Sequence, residues 1–194
     1  MDTIPPAEPT DPSGIPGSAG TASSLTRAVL EIDEYAAGLG WDHPARLFAL
    51  VDTARLRAEE PELAERLGMG GEDGNAPLTP VEQDELPPGQ PLDEFLATIA
   101  WPEAVAGCAL TIERLMLPPA AETSLPTGAP EAELSRWVAE HPERQEVRMT
   151  VAVLRDGRRE SAIRLREKDS ATEVLTGPDL VPGLAEALAA TFEG

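Results

Sequence analysis

The sequence contains little from which a covalent or metal crosslink could be built. One of its 194 residues is cysteine, Cys108, and two are histidine. A lone cysteine excludes an intramolecular disulfide, and so few nitrogen and sulfur ligands leave almost no material for a zinc site. We therefore predict a fold that is held together by its hydrophobic core, without a metal ion or another cofactor.

Long apolar runs and basic residues are also scarce. No run approaches the roughly 18 apolar residues that cross a membrane, and the first residues lack the basic and apolar regions of a signal peptide. The chain has 35 acidic and 15 basic residues, a net charge of −20. Because Lys and Arg drive binding to phosphate groups, this charge argues against nucleic acid and anionic membranes as partners. We predict a cytoplasmic protein that inserts into no membrane.

Sequence motifs that carry chemistry are missing as well. The chain has no P-loop, no dinucleotide-binding glycine pattern, no Gly-x-Ser-x-Gly elbow and no His-Glu-x-x-His. Cys108 stands between Gly107 and Ala109, where a thiol behaves as a small apolar residue. We nominate no catalytic residue, so a non-enzymatic protein is favoured and the question of activity stays open.

The distribution of proline, glycine and charge predicts one domain with a tail. Residues 1–22 contain five prolines, three glycines and no basic residue, which is typical of a disordered segment. Residues 23–194 are long enough, and at 41% hydrophobic residues overall apolar enough, to form a single core. Within them we predict a flexible acidic insertion at 69–91 and a proline-rich loop at 118–130.

Apolar periodicity predicts a helix at each end of this domain. One stripe at helical spacing begins after Ser23 or Ser24 and ends at Gly40. The other follows Asp179, a residue type that caps helices, and ends near Phe192. Shorter patterns between them predict helices at 62–67, 79–82, 92–99 and 130–141.

Two apolar segments predict strands. Residues 46–51 are too short for a helix and are apolar on both faces, as in a buried strand. Residues 104–117 can be read at a period of two, which places Ala106, Cys108, Leu110 and Ile112 on one face. Many residues of this second segment also favour a helix, but its valine, threonine and isoleucine tilt the interpretation to a strand.

Residues 146–166 predict a β-hairpin. A three-residue loop at 155–157, with Gly157 in the left-handed conformation, makes one face of the hairpin apolar. On that face Val147 pairs with Leu165, Met149 with Ile163 and Val151 with Ser161. On the other face Arg148 lies opposite Arg164, and two adjacent arginines repel each other unless an anionic group lies against them.

The basic residues are concentrated in this hairpin. Residues 144–168 carry a net charge of +4, which leaves −24 for the rest of the chain. The candidate partner-binding residues here are Arg148, Arg158, Arg164 and Arg166. One interpretation is a docking face for an acidic partner segment, for an internal tail such as residues 1–22 or, least favoured by the charge of the rest of the chain, for nucleic acid. The other is a solvated strand face whose arginines pair with acids of the same chain, and such surface pairs add little stability.

Two tryptophans in turns, Trp41 and Trp101, are further candidates for partner binding. Tryptophan is enriched in binding hot spots, although packing beneath long loops is the more ordinary use of such residues. His43 and His141 each precede a proline at the end of an element, and we interpret them as surface or capping residues.

The order of elements predicts an α+β fold, an antiparallel sheet of about four or more strands with the N- and C-terminal helices packed on one face. Five segments resemble an uncharacterised conserved protein family of actinobacteria that has no established activity: GWDHPARLFALVDT (40–53), LTPVEQDELP (78–87), IAWPEAVAGCALTIERLMLPP (99–119), VLRDG (153–157) and LTGPDLVPGLAEALAATF (175–192). This resemblance implies a cytoplasmic bacterial protein and carries over no catalytic residue. The element order is also similar to that of secretion-chaperone-like bacterial domains, which bind other proteins.

The leading hypothesis is a protein-interaction or regulatory module that docks an acidic or amphipathic protein partner. The arginine face or a tryptophan-lined groove would form the docking surface, and a homodimer through the sheet edge or the hairpin is a further option. The alternative is a small-molecule-binding domain or an enzyme with an unrecognised site between sheet and helices.

Overall fold

The computed structural model describes residues 23–67 and 77–193, in which helices cover both faces of one sheet. The sheet has six antiparallel strands in the order β2-β1-β3-β4-β5-β6. The strands are β1 (Arg46–Asp52), β2 (Leu78–Glu85), β3 (Val105–Met116), β4 (Gln145–Leu154), β5 (Arg159–Leu165) and β6 (Leu175–Gly177). The helices are α1 (Ser24–Leu39), α2 (Thr53–Glu59), α3 (Pro61–Arg66), α4 (Leu92–Leu96), α5 (Pro119–Glu122), α6 (Glu131–Glu140) and α7 (Pro182–Ala190). The predicted tail at 1–22 and residues 69–76 of the predicted insertion lie outside the described residues.

The α+β class and the antiparallel sheet are confirmed, but α1 and α7 lie on opposite faces of the sheet and not on one. On β4, Val151 belongs to the core beneath α7, whereas its neighbour Ala152 belongs to the core beneath α1. The sequence predicts a docking surface or a solvated strand on the second face of the hairpin. Ala109, Ala152 and Ala162 instead form an apolar surface there, and burying it requires a second layer of helix.

Helix α1 covers that surface with the predicted apolar stripe. Ser23 caps the helix, since its Oγ accepts a hydrogen bond from the backbone nitrogen of Thr26 at 3.1 Å. Val29 and Ile32 are buried in the core against the sheet. Gly40, with a φ of 95°, ends the helix in a conformation that favours glycine.

The predicted short helix over 79–82 is wrong, because these residues belong to the edge strand β2. This strand pairs with β1, and Leu78 enters the core beneath α1. The hydroxyls of Thr79 and Thr53 lie 2.8 Å apart in the buried space beside it. Pairing with β1 therefore outweighs the local helix signal. Pro80 lacks a backbone donor, which a strand at the edge of a sheet tolerates.

The other predicted helices appear with bounds that differ by a few residues. Helix α2 was not predicted, because it is only about two turns long and has Leu56 as its buried apolar residue. Asp52 caps it by accepting a hydrogen bond from the backbone nitrogen of Arg55 at 2.8 Å. Within the described residues, no helix combines the length and hydropathy needed to cross a bilayer.

Strand β3 confirms the strand interpretation of its segment, with one change in side-chain alternation. Cys108 and Ile112 face the core beneath α7, but Ala106 packs in the core beneath α1. The register between β1 and β3 shifts at this point, and the bulge turns Ala106 to the other face. At Gly107, an added Cβ would lie 2.5 Å from the carbonyl oxygen of Val153, so the strands approach closely only because this residue has no side chain.

Strands β4 and β5 form the predicted hairpin in the predicted register. The apolar pairs and the pair of Arg148 with Arg164 are all confirmed. Gly157 has a φ of 88°, and its nitrogen donates to the carbonyl of Leu154 at 3.0 Å to close the loop. Strand β6 then pairs with β5 and forms the second edge of the sheet.

Candidate functional site

The arginines on facing strands β4 and β5 are buried beneath α1. Arg148 and Arg164 have exposed fractions of 2% and 4%. Arg166, directly after β5, is partly exposed. We call these three arginines, together with Trp41 and the acids Asp33, Asp42, Glu113, Glu146 and Asp169, the arginine cluster.

Arg164 is held by one acid from α1 and one from the turn after β5. Its Nε and Nη2 donate to Oδ2 of Asp33 at 3.1 and 2.6 Å, and its Nη1 donates to Oδ1 of Asp169 at 3.1 Å. Asp33 is itself 1% exposed. It lies four residues after Val29, on the apolar stripe of α1. An acidic residue among the apolar positions of an amphipathic helix is the sequence signal that could have predicted a buried ion pair.

Arg148 is held from β3 and from the end of α1. Its Nη2 donates to Oε1 of Glu113 at 3.0 Å and to the carbonyl oxygen of Gly40. The ring of Trp41 covers the guanidinium, with its centroid 4.3 Å from the Arg148 Cζ atom. An aromatic face at this distance attracts a cation, so Trp41 shields the charge from solvent and stabilises it.

The turn after α1 closes the cluster. Asp42 adopts a φ of 69°, in the left-handed region, and its backbone nitrogen donates to Oε2 of Glu113 at 2.8 Å. Its carboxylate accepts two hydrogen bonds from Arg166, at 2.9 and 3.0 Å. Trp41 donates from Nε1 to Oδ2 of Asp169 at 2.9 Å. The hydrogen bond from Arg166 lowers the pKa of Asp42, and the one from Trp41, with Arg164 behind it, lowers the pKa of Asp169.

The arrangement therefore corrects one expectation. Arg148 and Arg164 do not lie on a solvated strand face, because α1 and the Trp41 turn cover them and acids of the same chain neutralise them. Arg148 and Arg164 can be neighbours because the carboxylates of Glu113 and Asp33 offset the repulsion between the two guanidinium groups. An acidic partner could reach this pair only if α1 moved away.

The structure does not bring Arg158 and Trp101 to this cluster. Arg158 lies in the hairpin loop, where its exposed side chain pairs with Asp156 at 2.7 Å. Trp101 lies on the opposite face of the sheet, between α4 and the end of α7. Its Nε1 donates to Oγ1 of Thr191 at 2.8 Å, and its ring packs against Phe192 with centroids 6.2 Å apart.

An open apolar groove extends from Trp101 across β1 and β2. Its volume is about 500 Å³, and we call it the Trp101 groove. Its floor is formed by β1, with Leu47, Ala49 and Val51, and by Val105 of β3. Its walls are Leu56 and Leu63 of α2 and α3, Val81 and Gln83 of β2, and Phe95, Thr98, Ile99, Ala100, Trp101 and Pro102 of α4 and the segment after it. The lining is thus aliphatic and aromatic apart from two uncharged polar side chains.

The wall at Trp101 is held in place by the hairpin loop. Arg155 donates from Nη2 to the carbonyl oxygens of Trp101 and Pro102, at 3.0 and 2.9 Å, and from Nε to that of Val105 at 2.8 Å. Its guanidinium also lies over the ring of Phe192, 4.6 Å from the centroid. These contacts fix the groove wall on the core, so the groove is a preformed surface.

A second cleft, of about 660 Å³, lies beside the arginine cluster and has a different chemistry. It is shallow and is lined by Asp42, Pro142, Arg144, Glu146, Arg166 and Glu167. Arg166 already pairs with Asp42 and Glu146. Charges that satisfy each other leave this cleft little preference for a ligand of either sign.

The remaining candidates occupy structural positions. Cys108 is buried beneath α7, and burial raises the pKa of its thiol to about 12, so it is protonated at neutral pH. A ring nitrogen of His43 lies 2.9 Å from the carbonyl oxygen of Leu39, and Nδ1 of His141 accepts from the backbone nitrogen of Glu143. Within the described residues, no three histidine, cysteine or acidic side chains are grouped to hold a metal ion.

Comparison with known protein families assigns the chain to one family. The model of a family described as PPA1309-like protein matches residues 25–193, which span α1 to the end of the described chain. The chain belongs to the PPA1309-like family. No match was found among curated proteins or among solved structures.

In this PPA1309-like protein, sequence reasoning found one wall of the groove and missed the others. Trp101 was a candidate because of its residue type. Val81 and Gln83 were missed because residues 79–82 were predicted as a helix, and Leu56 was missed with α2. The available signal was the alternation of Val81 with Glu82, which is typical of a half-buried strand.

Proposed function

We propose that this PPA1309-like protein is a cytoplasmic, non-enzymatic interaction module that docks an amphipathic segment of a partner protein in the Trp101 groove. The observation that carries the proposal is the groove itself, an open and preformed apolar surface with an aromatic wall at Trp101. Grooves of this kind receive the apolar face of a partner helix, and buried tryptophans are common anchors in such interfaces.

The arginine cluster supports the amphipathic partner over the acidic one. Arg148 and Arg164 lie beneath α1 and already form ion pairs. Arg166 donates its hydrogen bonds to Asp42 and Glu146. An acidic segment would have to compete with these carboxylates. The apolar side chains of the groove face no such competitor within the described residues.

A site-specific crosslink tests this proposal. A photoreactive amino acid at Gln83, an exposed position of the groove, should capture a partner protein from a lysate of the source cells. The same group at Glu34, exposed on α1 over the other face of the sheet, serves as the control. A protein adduct at Gln83 that is absent at Glu34 and lost in a Val81→Asn variant supports the proposal. Equal adducts at both positions contradict it.

Small-molecule binding is the second candidate function, and the size of the groove favours it. A volume of about 500 Å³ lies within the usual range for ligand pockets, and Gln83 and Thr98 could orient a polar group of an otherwise apolar ligand. Native mass spectrometry of the purified protein distinguishes the two functions. A co-purifying small molecule that is lost in Val81→Asn would replace the docking proposal.

A further inference from the structure

Acidic residues are concentrated in one segment that contributes to the Trp101 groove, and two of them, Glu82 and Glu85, already pair with Arg46. Strand β2, helix α4 and the turn at Trp101 all come from residues 78–102. This segment contains five acidic residues, Glu82, Asp84, Glu85, Asp93 and Glu94, and no basic residue. Helices α2 and α3, on the other wall, carry three arginines and three glutamates, with Glu60 between them.

Two basic side chains beside the groove, Arg155 and Arg55, are already engaged. Arg155 is held by three backbone carbonyls and the ring of Phe192, as described above. Arg55 pairs with Glu59 of its own helix at 3.0 Å. By contrast, Asp93 and Glu94 are exposed, and neither forms an ion pair within the described residues. On the α4 side of the groove, the unpaired charges of the described residues are therefore negative.

The acids of α4 lie where a docked segment would pass. Phe95 and Thr98 both line the groove, and Glu94 is one residue before the first and four before the second. Glu94 directly precedes the groove residue Phe95 in α4, so its exposed side chain lies beside this wall of the groove. A cationic side chain of a docked segment would meet this carboxylate while the apolar side chains enter the groove.

Strand β2 argues against docking as an additional strand. It is an edge of the sheet, but Pro80 lacks a backbone donor and acidic residues follow it along the strand. Proline and charge on an edge strand discourage pairing with another chain. A helix, which satisfies its own backbone hydrogen bonds, docks through side chains alone and avoids this obstacle.

We infer that the partner segment is a basic amphipathic helix, whose apolar face enters the Trp101 groove and whose lysine or arginine side chains lie against Asp93 and Glu94. This inference rests on the proposed function and adds the charge and the conformation of the partner. The proposed partner is basic, whereas the hairpin arginines in the sequence indicated an acidic partner. Opposite charge at the rim selects the partner and speeds its association, while the apolar contacts supply most of the affinity.

Two designed peptides test the inference on the full chain. Both are labelled helices of about 14 residues with leucines at helical spacing, and they differ only in having lysine or glutamate at every polar position. At about 0.05 M salt the lysine peptide should bind at least about tenfold more tightly than the glutamate peptide. At about 0.5 M salt the preference should shrink, because exposed charges are then screened.

Two pairs of variants locate the binding. The double variant Asp93→Lys/Glu94→Lys should abolish the preference, whereas Glu131→Lys/Glu133→Lys, which changes two acids in the first turn of α6, should leave it intact. Val81→Asn should weaken both peptides, whereas Leu175→Asn on β6, at the other edge of the sheet, should weaken neither.

Each outcome separates the inference from the proposed function. If both peptides bind equally and Val81→Asn weakens both, groove docking stands and the basic partner is overturned. A preference for the glutamate peptide, or a lysine preference that α6 rather than α4 controls, also overturns the inference. If neither peptide binds in a way that depends on Val81, helix docking in the groove fails together with the inference.

Discussion

The two faces of the sheet are closed in different ways. Beneath α1, small side chains such as Ala109 and Ala152 bring the helix close, and the ion pairs of Arg148 and Arg164 complete the contact. Beneath α7 the interior is aliphatic and aromatic, and no side-chain ion pair of the described residues lies within it. The cover there is also incomplete, because β1 and β2 remain open as the Trp101 groove. One face is thus specified by charge pairing, and the other by apolar packing that leaves room for a further element.

The largest effect is expected from breaking the charged face. Asp33→Ala leaves Arg164 buried without its main acid, and we expect the free energy of unfolding to fall by about 3–5 kcal/mol in urea denaturation. Arg55→Ala, which removes an exposed helix pair, should change it by less than about 0.5 kcal/mol. If the Asp33→Ala loss is as small as that of the control, the buried pair does not hold α1 on the sheet.

A double replacement sharpens this result. Asp33→Leu with Arg164→Met removes both charges and keeps the volume apolar, so most of the lost stability should return. A double variant as unstable as Asp33→Ala would show that the face depends on shape rather than on charge balance.

The junction between the faces should be the next most sensitive position. Gly107→Ala places a methyl group against the Val153 carbonyl and the Leu154 side chain, and we expect a loss of about 1–3 kcal/mol by thermal or urea unfolding. Gly183→Ala, in α7 with no atom near the added methyl, should instead stabilise the protein by about 0.5–1 kcal/mol. Equal effects at both glycines would contradict the close strand approach.

The acids of the charged face predict a pH dependence. The pKa of Asp169 is lowered in the folded state from its usual 3.8, so its ionised form contributes stability that is present above about pH 4 and lost as the pH falls through the folded-state pKa. The Asp169→Asn variant should be less stable at neutral pH by under about 1 kcal/mol, because the side chain is 38% exposed. The stability deficit of this variant should vanish in acid, because Asp169 is then protonated in both the folded and the unfolded protein. A deficit that persists unchanged at pH 2 would contradict this origin.

The smallest effect is expected in the groove. Val81→Thr, on the half-buried edge strand, should change the unfolding free energy by less than about 0.5 kcal/mol. The same change at Val151, fully buried beneath α7, should cost about 1–3 kcal/mol because the new hydroxyl lacks water. A large loss at Val81 would mean that the groove is part of the closed core and not a free surface.

The sequence predicted the hairpin and α1 well because both depend on local patterns. The register of Arg148 with Arg164 follows from alternation and from Gly157, all within about twenty residues. What covers these arginines could not be predicted in this way, since Asp33 lies 131 residues before Arg164. The groove combines side chains from β1, α2, α3, β2 and α4. The hydrophobic periodicity of one segment does not predict which other segments lie next to it in the fold. The placement of α1 and α7 on opposite faces was missed because three alanines on separate strands become a surface only after the strands pair.

The buried thiol of Cys108 is a built-in probe of how often the folded chain opens around it. Its Sγ lies 3.9 Å from the carbonyl oxygen of Leu188, beneath the last turn of α7. A thiol reacts as its thiolate, and this one is both protonated and covered, so an alkylating reagent can modify it only while α7 is lifted from the sheet. The rate of labelling therefore reports every opening that lifts α7 from Cys108, and a rate faster than global unfolding identifies local opening of this helix. Since the chain has one cysteine, a single mass increment reports these openings without any engineered probe.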